Sequence, residues 1–124
     1  MHTVLIVDDE EAFLHIIQVI LRRAGYNTLV ASTGQDGLQL AYDALPDIII
    51  LDDMMPGLSG GEVCMQLKSD PLVRDIPVIM YSAGAKVRNP VYIKQIGADG
   101  ALYKPALPVE ILETIGAYLE ARVG

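Results

Sequence analysis

Asp8-Asp9 and Asp52-Asp53 are two pairs of adjacent carboxylates, each standing directly behind an apolar run, Thr3 to Val7 and Ile48 to Leu51. A hydroxyl, Ser82, ends a third such run, and an ammonium, Lys104, follows a fourth. Carboxylates packed together repel one another, and ionising them all without a cation is costly. A hard divalent ion relieves that repulsion, and Mg²⁺ takes oxygen from one or two carboxylates while keeping waters that phosphate oxygens replace. A carboxylate is also a nucleophile able to form an aspartyl phosphate. Phosphoryl transfer then needs little beyond positioning and neutralisation of the equatorial oxygens. Mg²⁺ would meet one oxygen, the Lys104 ammonium another, and the Ser82 hydroxyl with nearby backbone amides the third.

For those groups to meet, the elements carrying them must end at one edge of a sheet. Apolar, β-branched runs alternate with helical patterns throughout the chain. Thr3 to Val7, Thr28 to Ala31, Ile48 to Leu51, Pro77 to Ser82 and Ala101 to Tyr103 read as strands. The first and third are nearly all apolar, as strands buried on both faces are. Between them, Ala12 to Ala24 sets Phe13, Ile16, Ile17, Ile20, Leu21 and Ala24 at helical spacing, and Gly25 offers a left-handed stop. Ser32-Thr33-Gly34 caps a second helix with Leu38, Ala41, Tyr42 and Leu45 facing inward. The Gly- and Pro-rich stretch from Pro56 to Gly61 lacks the Gly-Lys-Ser/Thr of a phosphate loop and reads as a turn before a third helix near Glu62 to Ser69. Asn89-Pro90 supplies the cap and first residue of a fourth helix. Pro108 opens a fifth, with Ile111, Leu112, Ile115, Tyr118 and Leu119 inward.

Alternation of this kind predicts an α/β fold, a doubly wound five-stranded parallel sheet with helices on both faces. At 124 residues the chain is expected to be one domain, 1–124. Such sheets bind ligands outside the carboxyl ends of their strands, where the strand order reverses.

Composition narrows the partners. The net charge of −7 and the lack of a basic cluster longer than Arg22-Arg23 argue against direct nucleic-acid binding. No apolar run is long enough for a membrane span and no signal-peptide pattern is visible, so the chain is expected to be soluble and cytoplasmic. Cys64, the single cysteine, reads as a packed core thiol. His15 reads as a solvated helix residue. Leu14 and Val19 stand off the inward stripe and read as surface, with docking of a histidine-bearing partner helix as their second reading.

The chain resembles the receiver domain of two-component response regulators, a superfamily with the flavodoxin-like strand order 2-1-3-4-5. The resemblance rests on Val7-Asp8-Asp9, Leu51-Asp52-Asp53-Met54-Met55-Pro56-Gly57, Ser82-Ala83, and Gly97-Ala98-Asp99 leading to Lys104-Pro105. It implies that Asp52 is the phosphoacceptor, that Asp9 ligates Mg²⁺ directly and Asp8 largely through water, and that the Met54 carbonyl completes the set. Asp53, next in an extending strand, is expected to point to the opposite face. By the same resemblance Ser82 and Ala83 sit at the switch position, Lys104 pairs with the phosphoryl group, and Pro105 follows a peptide bond that is often cis. The implied partner is a sensor histidine kinase or phosphotransfer protein, with a homodimer possible on phosphorylation. No activity is implied beyond the domain's own phosphoryl transfer and hydrolysis.

The match departs in places. Ala101 stands where the family commonly has Tyr or Phe, and Tyr103 lies two residues on. Coupling from Ser82 is therefore expected to use loop movement without a rotating ring, or to be weaker than usual. The stretch Gly84 to Pro90 is expected to delay and shorten the fourth helix. Asp99-Gly100 lacks the second acidic residue of one subfamily of DNA-binding dimers, and Ala106-Leu107-Pro108 replaces a frequent aromatic. Met54 offers no polar group to orient an attacking water, which predicts a long-lived phosphorylated form.

Three other readings share parts of the pattern. An unphosphorylated pseudo-receiver would keep the fold as a scaffold. A phosphatase acting through an aspartyl phosphate would want an Asp-x-Asp motif, whose second position here is Met54. A flavodoxin-like electron carrier would want a Ser/Thr-rich phosphate loop where Asp8-Asp9 stand.

Overall fold

Val, Ile and Leu dominate the central strands because branched side chains pack well on both faces of a pleated surface. In the computed structural model, which describes residues 1–123 and the side chains of residues 1–120, the strands are β1 (Thr3–Val7), β2 (Asn27–Ala31), β3 (Ile48–Leu51), β4 (Val78–Ser82) and β5 (Gly100–Tyr103). The helices are α1 (Glu11–Arg23), α2 (Gly34–Ala44), α3 (Gly60–Lys68), α4 (Pro90–Ile96) and α5 (Pro108–Val123), with a 3₁₀ turn at Ala85–Arg88. All pairings are parallel, in the order β2-β1-β3-β4-β5. The fold is therefore the doubly wound, flavodoxin-like one. Its strand order reverses between β1 and β3.

Side chains alternate between two cores. Leu5, Val7, Ile49, Leu51, Val78 and Met80 pack with Val63, Cys64 and Leu67 of α3. Val4, Ile6, Ile48, Ile50, Ile79 and Tyr81 pack with α1 and α5. Each large aliphatic side chain so buried contributes roughly 1.5–3 kcal/mol. Cys64 is fully buried, and burial pushes its thiol up to about 12, so it behaves as a core hydrophobe.

Register levels the strand ends. Val7 lies opposite both Ala31 and Leu51, so the next residues, Asp8 and Asp52, leave adjacent strands at the same height. Ser82 pairs with Tyr103, immediately before Lys104.

Helix boundaries follow local chemistry. Thr33 Oγ1 accepts from the Asp36 amide at the start of α2, and Ser59 with Glu62 forms a capping box on α3. Asn89 caps α4 with Pro90 as its first residue, and the helix is both late and only 7 residues long. Gly25 has φ +96, as a left-handed stop requires.

Two expectations about helix faces are corrected. Leu14 is buried at 6% exposure and belongs to the core, whereas Ile16 is 61% exposed. The sheet-facing row of α1 is Leu14, Ile17 and Leu21. Ile16 lies on the neighbouring apolar row, and only docking against the sheet chooses between the two. Val19 is exposed as expected. Leu45 leaves α2 in the left-handed region (φ 47) and faces solvent, because Pro46 disfavours right-handed helix for the residue before it.

Candidate functional site

The ends of β1, β3 and β5 bring their polar residues together. Lys104 Nζ lies 2.6 Å from Asp8 Oδ2, 3.6 Å from Asp52 Oδ2 and 3.3 Å from Glu10 Oε1. One oxygen from each of Asp8, Asp9 and Asp52 falls within 4.8 Å of the others. Asp8 and Asp52 are buried, while Asp9 is exposed at the mouth. Asp8 Oδ1 also accepts from the Glu10 amide at 2.9 Å, which turns the chain out of β1. The Lys104 ammonium lies 5.2 and 5.3 Å from the ring centroids of Phe13 and Tyr81. Those rings stack on each other and form an apolar wall behind the cation.

Asp52 is held by its neighbours. Its Oδ1 accepts from the Met54 amide at 3.3 Å. Burial raises its pKa above the ordinary value. Lys104 lowers it, Asp8 raises it, and the Ser82 hydroxyl and the Met54 amide lower it, leaving a net rise. Burial alone would depress the Lys104 pKa. The hydrogen bond and charge of Asp8, with Asp52 and Glu10, outweigh that and raise it, so the ammonium stays charged.

α3 must begin very close to the end of β3. A Cβ on Gly60 would run into the Asp52 carbonyl, so only glycine fits there. The Gly60 amide donates to the Asp53 carbonyl at 3.1 Å. Asp53 turns away from the cluster, and its Oδ1 accepts from the Gly61 amide and the Tyr92 hydroxyl, each at 2.8 Å.

The remaining predicted positions lie around this centre. Ser82 is buried, and its Oγ accepts from the Gly84 amide at 3.1 Å. Ala83 follows it, exposed, in the loop. The Met54 side chain is 63% exposed and lies against Gly84, where an added Cβ would come within 2.8 Å of its sulfur. Ala101 is half-buried in a groove of about 380 Å³ that Tyr103 also lines. Tyr103 itself faces outward, with the Arg88 guanidinium 4.3 Å from its ring centroid. The Lys104-Pro105 peptide bond is cis. His15 is exposed on α1.

Sequence reasoning did not anticipate Glu10, the Phe13–Tyr81 wall or the Asp53–Tyr92 bond. Glu10 was findable, since it directly follows Asp8-Asp9. The ring wall and the tyrosine bond join distant parts of the chain and left no local signal.

The architecture is that of a doubly wound α/β domain that carries a carboxylate–lysine cluster at its strand-order switch. Residues 4–116 match the family model described as response regulator receiver domain, and the chain belongs to that family. It is 41% identical over 94% of its length to the phosphate regulon transcriptional regulatory protein PhoB of Pseudomonas aeruginosa, covering 51% of that protein. It is 35% identical to Protein PilH of the same organism, covering 96% of this chain and 98% of PilH. The chain thus spans about half the length of the first transcriptional regulators it matches and nearly all of a single-domain relative. Among solved structures, chemotaxis protein CheY4 of Vibrio cholerae superposes with a TM-score of 0.89 at 30% identity, covering 96% of this chain and 99% of that one. Among the described residues, no helix is long and apolar enough to cross a membrane.

Proposed function

We propose that Asp52 accepts a phosphoryl group from a phosphohistidine of a sensor kinase or phosphotransfer protein, and that the modified domain then acts on a partner or a second copy. The observation that carries this reading is the Lys104 ammonium lying between buried Asp8 and Asp52, with Asp9 completing a compact set of three carboxylate oxygens.

A carboxylate oxygen of Asp52 attacks phosphorus, an acyl phosphate P–O bond forms, and the P–N bond to the donor imidazole breaks. The imidazole leaves with that electron pair and takes up a proton. Lys104 neutralises an oxygen of the transferring group, and the Ser82 hydroxyl with loop amides hydrogen-bonds another. Hydrolysis reverses the gain when water attacks phosphorus and the P–O bond to Asp52 breaks, restoring the carboxylate. The domain has no other turnover in this reading.

The donor set is all oxygen and acidic, which suits a hard divalent cation. Asp9 and Asp52 would hold Mg²⁺ directly, with Asp8 through water and the Met54 carbonyl completing the protein's share. When bound, Mg²⁺ supplies charge neutralisation at a phosphoryl oxygen.

The test is intact mass after incubation with Mg²⁺ and acetyl phosphate, with Asp52→Asn in parallel. The expected result is a single phosphoryl gain that requires Mg²⁺ and vanishes in the variant. A gain that persists in Asp52→Asn would show that another residue is the acceptor. No gain in a folded, Mg²⁺-binding wild type would favour strict dependence on the kinase or a scaffold role.

A further inference from the structure

The acceptor chemistry uses neither Asp53 nor Tyr92, yet the two join the acceptor strand to α4. Asp53 is buried at 7% exposure, and its Oδ1 accepts from both the Gly61 amide and the Tyr92 hydroxyl. The approach is close enough that a Cβ on Gly61 would run into the Tyr92 hydroxyl. Burial and the neighbouring Asp53 charge raise the phenol pKa well above its usual value, so the hydroxyl keeps its proton and remains a donor.

α4 is otherwise anchored mainly by partial burial, with Tyr92 and Ile93 half-buried against the core. Its 7 residues bury one side chain, Ile96, at the far end from Pro90. A helix of this length has little stability of its own. A hydrogen bond to a buried carboxylate is stronger than a neutral one, so the Tyr92 bond is a principal hold on the first half of α4.

Two paths lead from the acceptor to this helix. The Met54 amide donates to Asp52 Oδ1, so new phosphoryl oxygens and charge on Asp52 disturb the 52–54 backbone, and Asp53 moves with it. Ser82 Oγ accepts from the Gly84 amide, and the 3₁₀ turn runs from there into Asn89, the α4 cap. Between the paths lies a groove of about 670 Å³ lined by Asp53, Met54, Gly84, Lys86 and Tyr92, which gives the loop room to shift. Position 101, on the other side of α4, carries only a methyl group.

We propose that Tyr92, held by Asp53, is the positioning residue through which the state of Asp52 sets the placement of α4. This rests on the reading of Asp52 as phosphoacceptor.

The test joins intact mass to amide hydrogen exchange over residues 84–97, with and without acetyl phosphate and Mg²⁺. It uses the wild type, Tyr92→Phe and Asp53→Asn, the last of which keeps an acceptor oxygen. All three are expected to gain one phosphoryl group, and the wild type and Asp53→Asn to change exchange over 84–97 when they do. Tyr92→Phe should exchange about fivefold faster there in both forms, since it lacks one hydrogen bond. A purely structural role ends at that. Coupling additionally requires that the change between the two forms fall by more than half in Tyr92→Phe. Loss confined to Tyr92→Phe, or shared with Asp53→Asn, supports the link. Full retention in Tyr92→Phe, or loss in Asp53→Asn alone, overturns it. A wild type that gains no phosphoryl group removes the acceptor reading itself, an outcome visible in the mass before exchange is compared.

Discussion

The carboxylate edge and the α4 flank are built in opposite ways. Asp8 and Asp52 emerge from β1 and β3, whose residues from Val4 to Val7 and Ile48 to Leu51 are all buried, and Lys104 ties the two together. The α4 flank is a 3₁₀ turn, a 7-residue helix and β5, an edge strand with no fully buried residue. Beyond the β4–β5 pairing, its fully buried side chains are Val87 and Ile96, and its polar ties include Tyr92 to Asp53 and Lys68 to Asp99. Stability in a folded chain is uneven, and elements with few buried contacts open first. Under the proposed function, the comparison assigns each task its place: chemistry needs carboxylates held within tenths of an ångström, whereas a switch needs an element with two placements of similar free energy.

The largest expected effect breaks the stiff half. Lys104→Ala leaves buried Asp8 and Asp52 facing each other without a cation, and should lower unfolding free energy by about 3 kcal/mol in denaturant titration. Mg²⁺ should restore part of that, because it binds the folded cluster alone. A loss confined to faster exchange over α4, with global stability intact, would reverse the assignment of stiff and soft regions.

A smaller effect is expected where the two regions touch. The Met54 side chain lies against Gly84 and bridges the acceptor loop and the loop before α4. Met54→Asn introduces a group able to orient water, and the phosphorylated form should decay severalfold faster by time-resolved mass measurement. An unchanged decay would show that this position does not govern water access.

The smallest effect concerns the charge of Asp52. Asp52 has a folded pKa raised above its unfolded value, burial being the main cause. For an acid this means the folded state binds the proton more tightly. The ionised group therefore destabilises the fold at neutral pH, and that penalty disappears as pH falls below the unfolded value of about 3.9. In Mg²⁺-free buffer, Asp52→Asn should melt a few degrees higher than wild type at pH 7. The gap should close as pH falls through the Asp52 titration. An equal melting temperature at pH 7 would mean that Lys104 and the hydrogen bonds fully compensate the buried charge.

Much of the molecule was legible before any coordinates. β1 and β3 are nearly all apolar runs, each ended by a carboxylate pair, and the caps at Thr33 and Asn89 are local patterns of a few residues. Alternation of strand and helix implied a parallel sheet, and a parallel sheet brings its carboxyl ends to one edge. That reasoning placed Asp8, Asp9, Asp52, Ser82 and Lys104 together without a single distance. Backbone sterics and side-chain periodicity act over a few residues, and a sequence displays them directly.

Tertiary structure decided what those patterns left degenerate. α1 offers two apolar rows, and packing on β1 and β3 selected Leu14 over Ile16. Asp53 was expected to turn from the cluster, but its partner came from 39 residues away, in a helix whose own sequence says nothing of a carboxylate. The Phe13–Tyr81 wall and the outward Tyr103 under Arg88 are of the same kind. Which distant groups meet depends on how whole elements dock, because each contact forms only once the sheet has fixed the positions of both partners.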